Sequence, residues 1–228
     1  MKPILSIFLL LITAFSAAAK PADGSSPEEL YKETLRICDH MADRVKSGSL
    51  KQPADIISVE AAAEDAQGHW HNMWVEVSSA YRRSEAGGFG CAFADLDRDG
   101  SPELLLATKE QFLLAIFTVK NGKSILVDAF WPRHCAAVRH GAIMLRSSGG
   151  MDVEEFSVNT LEGHTLRPLL RWNSARDADR NKTVYACGFG SGERQIPASM
   201  FNALCGAYTE VSGKGNAAFF SKYGFTEI

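Results

Sequence analysis

Apolar positions recur at three- and four-residue intervals from about residue 26 onward. They give way, after the glycine-rich stretch Gly87-Gly88-Phe89-Gly90, to short alternating or continuous apolar runs. The first pattern is that of helices with one buried stripe, and the second that of strands. Ser26-Pro27-Glu28-Glu29 reads as a helix start, with Ser26 as N-cap, Pro27 at the first helical position and Glu29 placed to complete a capping box. Leu30, Leu35, Cys38, Met41, Ala42 and Val45 supply the stripe of that helix, and Gly48 ends it. Pro53 opens a second, alanine-rich helix expected to run to Asp65, and Gly68 separates it from a third over His69 to Arg83. In the third, Trp70, Trp74 and Val77 share a face, with Met73 and Tyr81 close by, a stripe suited to packing a core.

Beyond the glycines the pattern predicts strands at 91–95, 103–108, 113–120, 124–130, 136–139, 142–147, 153–159 and 165–171, with another over Val184 to Cys187. Asn121-Gly122 between two apolar runs is a hairpin signal, and Gly141 and Ser147-Ser-Gly-Gly150 mark further turns. The stretch 103–108 is ambiguous, because Glu-Leu-Leu-Leu-Ala-Thr also has good helix propensity. Met200, Phe201, Leu204 and Cys205 return to helical spacing after Pro197. The expected fold is α+β: a helical N-terminal lead-in over 20–88, then a meandering, mainly antiparallel sheet and a closing C-terminal helix over 89–228. The two parts are expected to pack as one domain.

The first nineteen residues change the picture of where this domain works. Lys2, an apolar run from Ile4 to Phe15, and Ala17-Ala18-Ala19 have the layout of a cleaved signal peptide over 1–19. The run is shorter than the about 20 residues that a membrane-spanning helix needs. The expected product is soluble and secreted or periplasmic, with no membrane association after cleavage. A formal net charge of −3 provides no electrostatic footprint for nucleic acid. Five cysteines in an oxidising compartment permit disulfides, and Cys187 with Cys205, in one C-terminal strand-to-helix unit, is the favoured pair among many possible ones.

Chemistry is concentrated in Asp95-Leu-Asp-Arg-Asp-Gly-Ser-Pro-Glu103. Carboxylates stand at positions 1, 3, 5 and 9 of this stretch and glycine at position 6. Such density repels itself unless a cation is present. Calcium takes six to eight oxygens, which side chains at alternating positions and one backbone carbonyl can supply around a glycine-permitted reversal. The expected ligands to Ca2+ are the side chains of Asp95, Asp97, Asp99 and Glu103 and the carbonyl of Ser101.

This spacing resembles the D-x-D-x-D-G-x-x-[DE] calcium loops of FG-GAP repeats, dockerins and EF-hands. An EF-hand would need a preceding helix and an acid at position 12, where Leu106 stands, so a strand-loop-strand form is expected. Together with the Asn121-Gly122 hairpin, Ser147-Ser-Gly-Gly150 and the late Ile196 to Leu204 stretch, the loop is similar to exported bacterial proteins of unassigned function. That resemblance implies an α+β fold and a calcium ligand set, and it brings no activity with it.

Other signals are weaker. Asp177-Ala-Asp-Arg-Asn-Lys182 has lysine where a calcium loop has glycine, and it reads as a solvated connection. His69 and His71 diverge on a helix. Adjacent His134 and Cys135 do not make a nucleophile-base pair by adjacency alone. Gly188-Phe-Gly-Ser-Gly192 reads as a turn, and Asn181-Lys-Thr183 matters only in a glycosylating host. The leading expectation is a non-enzymatic exported module with structural calcium that binds a protein, peptide or glycan. The alternatives are a hydrolase of cell-wall or other polymer using acids such as Glu154 or Glu155, and an inhibitor or accessory subunit.

Overall fold

The structure is a computed structural model and describes residues 26–82, 88–139, 141–150, 153–177, 182–189, 192–212 and 215–228. The leader at 1–19 and most of the 177–182 connection, including Asn181, lie outside the described residues.

The fold is α+β, as expected from the patterning, and mainly antiparallel. Helix α1 (Pro27–Leu30) is capped by Ser26, whose Oγ accepts the Glu29 N–H at 3.3 Å, and α2 (Lys32–Lys46) continues after a break at Tyr31. Cys38, Met41, Ala42 and Val45 are buried on one face of α2. Gly48 then stands at φ +68°, a left-handed position that glycine takes without penalty and that lets the chain leave the helix.

The second expected helix does not form. Only a single 3-10 turn, Pro53–Asp55, is present, and Ile56 is already extended at φ −85°, ψ 123°. The run Ile56-Ile57-Ser58-Val59 is rich in β-branched residues, which lose side-chain freedom in a helix and fit extended chain. The stretch also meets unpaired backbone groups at the edge of the sheet: Leu126 N–H donates to Glu60 O at 2.8 Å and Ala62 N–H to Leu126 O at 2.9 Å. Helix α3 therefore starts at Glu64 and runs to Arg82, passing through Gly68. The glycine costs about 1 kcal/mol of helix propensity. That is small against the burial of Ala66, Trp70, Met73, Trp74 and Val77 on the same helix.

Two sheets replace the single expected one. The first has the order β11-β1-β2-β3-β4, formed by Phe89–Ala94 (β1), Glu103–Thr108 (β2), Leu113–Lys120 (β3), Lys123–Ala129 (β4) and Thr226–Glu227 (β11). The second has the order β10-β9-β8-β7-β6-β5, formed by His134–Arg139 (β5), Ala142–Gly150 (β6), Val153–Glu162 (β7), Thr165–Asp177 (β8), Lys182–Phe189 (β9) and Arg194–Gln195 (β10). Between β4 and β5 lies Phe130-Trp-Pro-Arg133, where Pro132 has no N–H for a ladder.

The chain divides into two compact units at this connection. Among the described residues, one comprises 26–132 together with 163–165 and 220–228, and the other comprises 133–162 and 166–219. In the first, α2 and α3 cover the first sheet. Trp70 sits edge-on to Trp74 and to Phe117, with ring centroids 5.4 and 5.7 Å apart, and its indole N–H donates to Ile57 O at 2.9 Å. In the second, α4 (Ala198–Ser212) covers a core in which Phe156 and Trp172 stack at 5.3 Å and Tyr208 and Phe201 close from the helix side. A further helix, α5 (Gly215–Tyr223), precedes β11. Among the described residues no helix is long and apolar enough to cross a membrane.

Candidate metal-binding loop

Strands β1 and β2 pair antiparallel as far as Ala94 and Glu103, so the acidic stretch is the loop of a β-hairpin. The strand reading of 103–108 holds because all six residues are buried in the sheet, where propensity for helix has no say. Within the loop the backbone curls around its own carboxylates. Gly100 N–H donates to Asp95 Oδ2 at 3.3 Å, Asp99 N–H to Asp97 Oδ1 at 3.1 Å, and Ser101 N–H to Asp99 Oδ1 at 2.7 Å. Gly163 N–H donates to Asp97 Oδ2 at 3.2 Å. Two residues hold left-handed backbone, Arg98 at φ 67° and Gly100 at φ 94°. They turn the chain so that alternate side chains point inward.

The result is convergence. Asp95, Asp97 and Asp99 each offer a carboxylate oxygen, and these oxygens lie within 4.8 Å of one another. Asp95 is buried, Asp97 half-buried and Asp99 exposed, a gradient from the sheet to solvent that leaves one side of the cluster open. Burial raises the Asp97 pKa above the ordinary carboxylate range, and the charges of Asp99 and Asp95 push it further, while the N–H bonds from Asp99 and Gly163 oppose.

Glu103 takes a different place from the three aspartates. It is fully buried, and both of its oxygens are engaged: Oε2 accepts Leu96 N–H at 2.6 Å and Oε1 accepts the Thr118 hydroxyl at 3.1 Å. Its pKa is pushed up to about 8, first by burial and then by Asp97 and Asp99, against the two hydrogen bonds. A carboxylate so placed pins the start of the loop to β2 and β3. Ser101 is half-buried at the far turn of the loop. Tyr31 adds a support that sequence reading missed, its hydroxyl lying 2.9 Å from Pro102 O and 3.3 Å from Phe117 O.

No protein-family model and no curated protein matches this chain. A solved structure described as that of a Xanthomonas type IV secretion system related protein aligns at 9% identity with a TM-score of 0.30, over 46% of this chain and 56% of that one. The chain thus spans just over half the length of that protein, and the likeness is too slight to bear on fold or activity.

The other sequence candidates lie outside this loop. Glu154 and Glu155 are neighbours on β7 and so face opposite sides of the sheet. Glu154 is ion-paired with Arg146 at 2.7 Å. His134 and Cys135 likewise alternate on β5, and His134 Nδ1 lies 2.7 Å from Ser147 Oγ. All five cysteines are free thiols whose pKa values burial pushes up, the reverse of an activated nucleophile. Cys187 and Cys205, the favoured disulfide pair, are not bonded in this structure, although both belong to the core beneath α4. His69 finds a partner 59 positions away, its Nδ1 lying 2.6 Å from Asp128 Oδ1.

Proposed function

We propose that the protein is an exported module, secreted or periplasmic once its leader is removed, that binds one calcium ion in the β1–β2 loop and works without catalysis. The convergence of the Asp95, Asp97 and Asp99 oxygens within 4.8 Å is the observation that carries this reading. An all-oxygen, all-carboxylate donor set with one open side suits a hard cation that takes six to eight ligands and tolerates irregular geometry. Asp95, Asp97 and Asp99 would hold the ion directly, with the Ser101 carbonyl and Glu103 completing the set. The ion would supply positive charge that cancels repulsion among these groups and stiffens the hairpin. Its role is structural, and partners are bound elsewhere, through loops or a sheet edge.

Extracellular calcium modules commonly have dissociation constants of about 10⁻⁴–10⁻³ M, so the loop fills where calcium is millimolar. At a free concentration about tenfold above the dissociation constant, linkage adds roughly 1.4 kcal/mol to stability. Calorimetric titration should show one calcium per chain, and the melting temperature should rise in millimolar calcium and fall back with chelator. Asp97→Asn should abolish that rise while leaving the calcium-free protein no less stable, because it also removes a repulsive charge. Magnesium, which prefers tighter octahedral geometry and keeps its waters, should substitute poorly. A melting temperature indifferent to calcium and chelator, with no heat of binding, rules the reading out.

A further inference from the structure

A second feature of the first unit is independent of the acidic loop. Helix α3, the β2–β3 turn and the segment after β4 enclose a pocket of about 250 Å³. Its wall is apolar and rich in aromatic rings, with Phe112, Leu114, Phe130 and Trp131 contributing, and Glu76 and Glu110 add two carboxylates. Among the described residues no lysine, arginine or histidine lines it. The neighbouring Lys109 is paired with Glu227 at 2.9 Å. Neither Glu76 nor Glu110 has an ion-pair partner among the described residues.

The rings are held in place by the backbone and by one another. Thr108 N–H donates to Phe112 O at 3.0 Å across a turn in which Gln111 takes φ 64°, and Phe130 N–H donates to Leu114 O at 2.7 Å. His69 sits edge-on to Trp131 with ring centroids 5.1 Å apart, and is itself fixed by Asp128. Phe112 and Trp131 are only half-buried, so part of each ring remains accessible. The pocket thus needs little rearrangement to receive a ligand.

We infer that this pocket binds a small organic cation, an alkyl- or arylammonium compound, against the accessible rings of Phe112 and Trp131 with Glu76 and Glu110 opposing its charge. Aromatic faces attract a cation through their quadrupole, and quaternary ammonium groups, being weakly hydrated, gain most from them. Two carboxylates without a counter-cation favour positive ligands and repel anions. The volume lies below the about 300–1,000 Å³ typical of sites for drug-sized ligands, which limits the occupant to a single ring or a short chain. This site shares no residue with the calcium loop.

Tryptophan fluorescence of the full chain in saturating calcium tests the inference. Trp70, Trp74 and Trp172 are completely buried, so a change on adding ligand reports Trp131. Benzyltrimethylammonium should give a saturable change and bind at least about tenfold more tightly than phenylacetate or benzyl alcohol. The double variant Glu76→Gln/Glu110→Gln should weaken it by about tenfold or more with an unchanged melting temperature, since Glu76 is half-buried and Glu110 exposed. Asp97→Asn should leave it unchanged. No saturable change, equal affinity for the anion or the alcohol, indifference to the double variant, or loss in Asp97→Asn would each overturn the assignment, the last by placing the cation at the acidic loop.

Discussion

At the residue scale, Glu103 ties the stability of the acidic loop to a proton. It is fully buried with a pKa of about 8, against an unperturbed value of 4.5. Because the folded state holds this proton more tightly than the unfolded chain does, stability is greatest below about pH 4.5 for this group and declines as pH rises toward 8. Calcium-free protein should therefore melt lower at pH 8 than at pH 5.5, and Glu103→Gln should flatten that dependence. The measurement is a melting series across pH with chelator present. His69 acts in the same direction for a different reason. The hydrogen bond to Asp128 raises its pKa, so the stability it contributes is complete below the unfolded value of 6.5 and is lost as pH rises through the folded one. His69→Gln should remove only the part of the decline above about pH 6.5. Comparing the two variants separates the two protons.

At the scale of elements, the acidic loop owes its shape to neighbours as well as to its own spacing. Tyr31, in the break between α1 and α2, donates its hydroxyl toward the carbonyls of Pro102 and Phe117. Tyr31→Phe keeps the ring and leaves these buried carbonyls without that donor, a loss of about 1–2 kcal/mol. Chemical denaturation should show it, and calorimetry should show weaker calcium binding because Pro102 closes the loop. Backbone conformation provides a second lever. Gly100 stands at φ 94° with open space around its α-carbon, so Gly100→Ala meets no steric neighbour. Left-handed backbone strain of roughly 1–2 kcal/mol should nevertheless destabilise the loop. Arg98, at φ 67°, is the converse case, and Arg98→Gly should stabilise the hairpin by up to about 1 kcal/mol. Both changes are readable as shifts in melting temperature.

At the scale of the whole molecule, the two units have separate cores, one under α2 and α3 and one under α4. Export would expose the five thiols to an oxidising compartment. Cys187 on β9 and Cys205 on α4 lie in the same core, and a bridge between them would close a loop of about 18 residues, for which chain entropy gives roughly 3 kcal/mol. Non-reducing peptide mapping of the exported protein should find this pair, and an intact mass lacking residues 1–19 should accompany it. Two free thiols at these positions, or a mass retaining the leader, would remove disulfide bonding or cleavage from the account.

Much of this was legible along the chain because it depends on local physics. Strands 103–108 and 113–120 lie where short apolar runs bounded by turn residues put them, although the helix propensity of 103–108 left that run ambiguous until burial decided it, and the Asn121-Gly122 turn was marked by its own chemistry, with both residues at positive φ. The spacing of Asp95, Asp97 and Asp99 likewise predicted their convergence, because a loop of this length with a left-handed residue at position 6 turns alternate side chains inward. What the sequence did not contain was decided by contacts distant along the chain. Residues 60–62 were drawn to the sheet edge by pairing with Leu126, and Gly68 was carried inside a helix by the tryptophans around it. One meander became two sheets because period-two alternation is the same in either and says nothing about which neighbour a strand chooses. Glu103 shows the division most clearly. Its position as the ninth residue of an acidic loop marked it as a ligand, yet only the fold, by burying it against Leu96 and Thr118, made it also the pin of the hairpin and raised its proton affinity. Spacing determines which groups can meet, whereas burial and long-range hydrogen bonds determine what each group does once there.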